Sequence, residues 1–196
     1  MIYIPNKKRA WESDFQSWSQ PPGKTEEEKC ERAIQAIKKA IEKSDHLRWL
    51  SVATFPQGSF RNRTNVKQDS DVDVCVLYNI TVIVDYPTGV TDQHTSLEPA
   101  TYHFSQFKGD VEHALVSHFG RQYVRRGNKA FDINENTYRV DADAAPCFEF
   151  RQYFVDHMGG LRYHTGTALF TDHEGRRVTN FPEQQYNNGV AKNDAT

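Results

Sequence analysis

The stretch Asp71-Val72-Asp73-Val74-Cys75-Val76-Leu77 sets aspartates and a cysteine against valines in strict alternation. A β-branched run of this kind predicts a strand. Strand period two puts Asp71 and Asp73 on one face and Val72 and Val74 on the other. Two carboxylates about 7 Å apart along one strand repel each other, and one pKa rises unless a cation lies between them. The pattern returns in Val140-Asp141-Ala142-Asp143-Ala144. If the two strands are neighbours in one sheet, three or four carboxylates converge on one patch, an oxygen cage suited to Mg²⁺. Such a cage holds two ions, one activating an attacking hydroxyl and one bridging the phosphates of a nucleotide.

Just upstream lies Gln57-Gly58-Ser59-Phe60. Glycine permits close backbone approach, and the serine offers a hydroxyl and an amide to a phosphate oxygen. Between this turn and the acidic pair stand Arg61, Arg63 and Lys67, cations that would neutralise a polyphosphate. A paired aspartate on a strand end, taken alone, is more often a solvated edge, and Gly-Ser is a common turn. In this order, and followed by another acidic strand, they form one site for a metal–nucleotide complex. Neither GxxxxGK[ST] nor GxGxxG occurs, which argues against P-loop and Rossmann chemistry.

The elements around this site read as a small α/β (α+β) domain on a mixed sheet. Thr25-Glu26-Glu27-Glu28 is a capping box, and behind it Cys30, Ala33, Ile34, Ile37, Ala40 and Ile41 recur at helical spacing. They predict an amphipathic helix over 25–43. Val52-Ala53-Thr54-Phe55 reads as a short strand stopped by Pro56, with a polar loop over 58–70. Residues 86–103 read as a mobile polar insertion. Asp110 is positioned to cap a second helix with Val111, Leu115 and Phe119 on one face and Gly120 at its end. Strands are expected near 129–134 and 138–145, flanking Asn134-Glu135-Asn136, and a hairpin over 168–181 around Asp172-His173-Glu174-Gly175. Residues 1–24 read as an irregular arm over the core, anchored by Trp11 and Trp18, and 183–196 as a Gln/Asn-rich tail without hydrophobic period.

Composition sets the outer bounds. The 196 residues carry 24 basic and 26 acidic side chains, a formal net charge of −2, which gives no global field for duplex nucleic acid or an anionic membrane. Hydrophobic residues make up only 37%, below an ordinary globular domain, yet aromatics at 12% exclude a disordered chain. Long polar loops, or a surface that normally meets a partner, account for such a balance. The three cysteines, Cys30, Cys75 and Cys147, are widely spaced, and no CxxC or HExxH is present. With no apolar h-region at the start and no bilayer-length apolar run, a cytoplasmic protein is expected. Arg121, Arg125, Arg126 and Lys129 form a basic cluster behind the second helix, read first as a solvated helix end and second as a contact for an acceptor nucleotide or RNA.

Gly58-Ser59, Asp71-Val72-Asp73 and a distal aspartate together resemble the signature of the DNA polymerase β-type nucleotidyltransferases. Asp143-Ala144-Ala145-Pro146-Cys147, with Glu149 and Arg151 behind it, is similar to the aspartate–apolar–apolar–proline block of bacterial CD-NTases. These are relatives of cyclic GMP-AMP synthase and oligoadenylate synthetase that make nucleotide second messengers in anti-phage defence. The spacing alone leaves both Asp141 and Asp143 open as the third acid; the resemblance selects Asp143. It implies a nucleotidyltransferase palm over 25–182 in which Asp71, Asp73 and Asp143 are catalytic and bind two Mg²⁺ ions, for which Mn²⁺ can substitute. It further implies that Gly58 and Ser59 hold the donor phosphates, with Gln57, Arg61, Arg63 and Lys67 around them. The substrates would be ATP, GTP or pyrimidine nucleoside triphosphates, the product a linear or cyclic oligonucleotide, and its reader a separate effector. The segment 183–196 resembles the linker into the family's C-terminal helical lobe, which would begin where this sequence stops. The 196-residue form is expected to lack base recognition, cyclisation or turnover to the extent that these need that lobe. Two rival readings stand beside it: a minimal transferase that adenylylates a protein or small molecule, and a nucleotide-binding regulatory module without turnover.

Overall fold

A computed structural model describes residues 24–62 and 71–194, the side chains of 192–194 excepted. The expected N-terminal arm, with Trp11 and Trp18, and the loop residues Arg63 and Lys67 lie outside the described residues. In chain order the elements are α1 (Lys24–Glu42), β1 (Val52–Gln57), α2 (Gly58–Asn62), β2 (Val72–Asp85), α3 (Phe104–Phe119), β3 (Val124–Arg126), β4 (Phe131–Ile133), β5 (Ala142–Val155), β6 (Leu161–Phe170), β7 (Arg177–Asn180) and α4 (Pro182–Asp194). Among the described residues no helix is long and apolar enough to cross a membrane.

One mixed sheet takes the strands in the order β1-β2-β5-β4-β3. β2 and β5 run parallel, and the remaining pairs are antiparallel. β5 is long enough to pair β4 at its start and β6 further along, with β7 outside β6. Alternation then divides the two faces. Val72, Val74 and Val76 of β2, with Ala142, Ala144 and Phe148 of β5, point to the back and pack beneath α1 and α3 against Ile34, Ile37, Ile41, Phe107, Val111 and Leu115. The intervening positions point to the front, where Cys75, Ala145 and Cys147 form a smaller cluster with Phe55, Leu77 and Leu169.

Helix α1 matches its expectation closely, and all six apolar positions read from the sequence are buried. Elsewhere the boundaries move for identifiable reasons. Pro56 does not stop β1, because β1 pairs only with β2 and an edge strand tolerates a residue without an N–H. β2 runs eight residues beyond Leu77, past a register jump between Tyr78 and Val82. α3 begins at Phe104, so Asp110 lies inside the helix rather than at its cap, and there it accepts a hydrogen bond from the Tyr102 hydroxyl at 2.5 Å. Gly120 does end that helix, at φ +91°. Residues 138–141 are not strand, because the Asn136 side chain accepts from the backbone N–H groups of Tyr138 and Arg139 and turns the chain there. The loop expected over 58–70 begins with the short helix α2, and the polar tail forms α4, almost wholly exposed and opening on Pro182, a residue preorganised for a first helical turn.

Candidate active site

The register of the sheet draws the candidate residues into one row. Gln57 on β1 stands opposite Asp73 on β2, Asp73 opposite Asp143 on β5, Asp143 opposite Asp132 on β4, and Asp132 opposite Arg125 on β3. Residues directly opposite one another share a face, and neighbouring strands lie about 4.8 Å apart. The row crosses the front of the sheet, which α1 and α3 leave uncovered. Asp71 precedes β2 by one residue, beside a backbone hydrogen bond from Val72 N–H to the Asp141 carbonyl at 3.2 Å. With Asp132, Asp141, Asp143 and Arg125 it borders a cleft of about 360 Å³.

The turn between β1 and α2 closes one end of the row. Gly58 sits at φ +66°, and a Cβ built on it would fall 2.1 Å from Oδ2 of Asp73. The Gly58 backbone therefore passes directly against the Asp73 carboxylate. Ser59 follows in the exposed first turn of α2. Arg61 turns away from the acids: it meets Glu183 of α4 at 2.5 Å and lies between the rings of Phe55 and Tyr186.

Crowded carboxylates resist ionisation. Burial, and then the charges of Asp132, Asp73, Asp71 and Asp141, push the Asp143 pKa up to about 6. Burial and then Asp71 raise that of Asp73. Asp141 is occupied differently, since its Oδ1 accepts the backbone N–H of Glu135. Among the described residues no three His, Cys, Asp or Glu side chains are drawn into a closed metal cluster. The acids form an open row instead, and their donor chemistry, hard carboxylate oxygens with a raised affinity for positive charge, fits a divalent cation.

No family model matches the chain. A cyclic dipyrimidine nucleotide synthase, CdnE, of Legionella pneumophila is 46% identical to it over 189 residues, covering 95% of this chain and 63% of that protein. The solved Rhodothermus marinus CdnE c-UMP-AMP synthase with Apcpp and Upnpp superposes with a TM-score of 0.78 at 29% identity, over 94% of this chain and 61% of that one. The Elizabethkingia meningoseptica CdnE cyclic dinucleotide synthase with GTP and Apcpp gives 0.68 at 34% identity, over 93% and 59%. Over almost its whole length the chain is similar to these CdnE synthases, which are CD-NTases. It spans a little under two thirds of the length of these relatives. The mixed sheet of this chain matches the fold of these CdnE synthases.

Of the residues read from the sequence, Gln57, Gly58, Asp73 and Asp143 meet at the row itself, with Asp71 and Ser59 beside it. Arg61 is engaged elsewhere. One member of the row, Asp132, escaped the sequence reading; Arg125 stands there only as part of the basic cluster with Arg121, Arg126 and Lys129, read first as a solvated helix end and second as a contact for an acceptor nucleotide or RNA. The Nε of Arg125 donates to Oδ2 of Asp132 at 2.7 Å, and its Nη2 donates to the same oxygen. The alternation in Phe131-Asp132-Ile133, with both apolar neighbours buried, was the available signal for Asp132.

Proposed function

We propose that this chain joins nucleoside triphosphates into a cyclic or linear oligonucleotide, a ribose hydroxyl attacking the α-phosphate of a donor as pyrophosphate leaves. The register that sets Asp73 against Asp143, with the Gly58 turn touching Asp73, carries this reading. Asp71, Asp73 and Asp143 would hold two Mg²⁺ ions. Bound there, the ions supply charge neutralisation for the phosphates and activation of the attacking hydroxyl. The chain's own part is positioning. Gly58 and Ser59 present backbone and hydroxyl to the donor's terminal phosphates, and the absence of a Cβ at Gly58 lets those phosphates come close to the carboxylates. Asp143, a carboxylate at the same site, would help to take the proton of the attacking hydroxyl. Residues 25–182 would be the palm and 183–196 the lead into a further lobe.

Names of the relatives span dipyrimidine, UMP-AMP and other cyclic dinucleotide products, so the test uses all four common nucleoside triphosphates with Mg²⁺. Pyrophosphate should be released, and Asp73→Asn and Asp143→Asn should each reduce its release by at least about a hundredfold while the variants stay folded. Equal release by parent and variants would overturn the metal assignment. Binding of Mg-nucleotide without release would favour a nucleotide-binding module instead. The family's role in anti-phage signalling supports the further proposal that a separate effector reads the product.

A further inference from the structure

We propose that Arg125, held by Asp132 at the open end of the acid row, anchors the phosphates of the acceptor nucleotide. The inference rests on the nucleotidyltransferase reading above, which names groups for the donor phosphates and none for the acceptor's phosphates, and it singles out Arg125 from the basic cluster of Arg121, Arg125, Arg126 and Lys129. In phosphoryl-type transfer the entering and leaving oxygens lie roughly in line on opposite sides of phosphorus. The Gly58 turn, which would hold the leaving phosphates, touches Asp73 from the β1 side. The acceptor must then enter from the other side of Asp143, over β4 and β3. An acceptor triphosphate is a polyanion, and it arrives at a cleft bordered by Asp71, Asp132, Asp141 and Asp143.

Arg125 is the one basic side chain among the described residues bordering that cleft. Strand alternation explains why its neighbours do not share the task. Arg126 points to the opposite face, where it binds Glu112 at 2.6 Å and Asp172 at 2.7 Å, and Arg121 also binds Glu112. Arg61 is committed to Glu183 on the donor side. Arg125 lies two strand spacings from Asp143, about 10 Å along the sheet. Its side chain is 82% exposed. Nε and one Nη2 hydrogen go to Asp132, which leaves three of its five N–H donors facing solvent in a fixed fork. A guanidinium already tied to a carboxylate loses less freedom when a phosphate arrives. Asp132 is in this sense a positioning residue.

Equilibrium binding of a non-hydrolysable nucleoside triphosphate with Mg²⁺ tests the assignment. The parent should bind two equivalents. Arg125→Ala should keep the donor equivalent and weaken the second by about tenfold or more, with Arg125→Lys between them. The melting temperature should barely move, since exposed ion pairs contribute little. A nucleoside acceptor without phosphates should bind or react equally in parent and Arg125→Ala, an outcome a merely structural role would not give. Two unchanged equivalents in Arg125→Ala overturn the inference, as does a single equivalent in both proteins up to millimolar nucleotide or an equal loss with the nucleoside. Failure of the parent to bind any Mg-nucleotide would instead bring down the nucleotidyltransferase reading, and this inference with it.

Discussion

Replacing Gly58 by alanine would force a methyl carbon to within 2.1 Å of Asp73 Oδ2 on a backbone that already sits at φ +66°. Relief requires the turn or the carboxylate to move, so Gly58→Ala should cost about 1–3 kcal/mol of stability. It should also weaken Mg-nucleotide binding more than a surface Gly→Ala elsewhere; urea unfolding and a nucleotide titration measure the two effects. Gly58 and Asp73 were legible because short-range patterns place them, a turn residue and an alternating strand, whereas Asp143 was selected only by the resemblance of the block Asp143-Ala144-Ala145-Pro146. The choice between Asp141 and Asp143 was not legible from spacing. The Glu135 N–H on Asp141 shows what distinguishes them, one carboxylate occupied by local backbone and the other set in the row. Asp132 was not legible, and Arg125 could not be told apart from the other cations of its cluster, because their place in the row arises from strands pairing across the sheet, and each stands in a strand of only three residues.

Lys108 shows how an element far from the acids supports them. It lies on the buried face of α3, fully enclosed, and its Nζ donates to the carbonyls of Gly127 and Asn128 and to Asp172 at 2.9 Å. Those carbonyls belong to the turn joining β3 to β4, the hairpin that carries Arg125 and Asp132. Lys108→Met keeps the length but removes the charge, and should destabilise the fold by about 3 kcal/mol. That is the lower end for a broken buried pair, because Asp172 keeps Arg126. Chemical denaturation checks the figure. The helix itself was half legible: its apolar period was read from Val111 onward, but a lysine at a core position and Asp110 in a capping guise hid the first turns. α1 was legible throughout because no polar residue interrupts its buried stripe. α4 was not, because a helix with almost no buried face leaves no period to read.

Across the molecule the back of the sheet carries the core and the front carries the charge, so site and stability are coupled through protonation. Asp143 holds its proton more tightly folded than unfolded, as does Asp73. Their stabilising contribution is therefore complete below the ordinary carboxylate range and is lost as pH rises, through about 6 for Asp143. Thermal melts between about pH 4 and 7 should show this part of the stability falling with pH, and Asp143→Asn should abolish most of the slope. Added Mg²⁺ should raise the melting temperature more at the upper end of that range, where the acids are ionised and able to ligate. The register jump in β2 bears on the same coupling. Between Tyr78 and Val82 three residues bulge out while β5 advances by one, and Ile80 at the crest is 64% exposed. A one-residue slip at the Asp73 end would turn the acids toward the helices and the valines toward solvent. The bulge works as an expansion joint: chain length gained or lost at 79–81 is absorbed there, and the outer half of the sheet is free to be rebuilt without displacing the carboxylates.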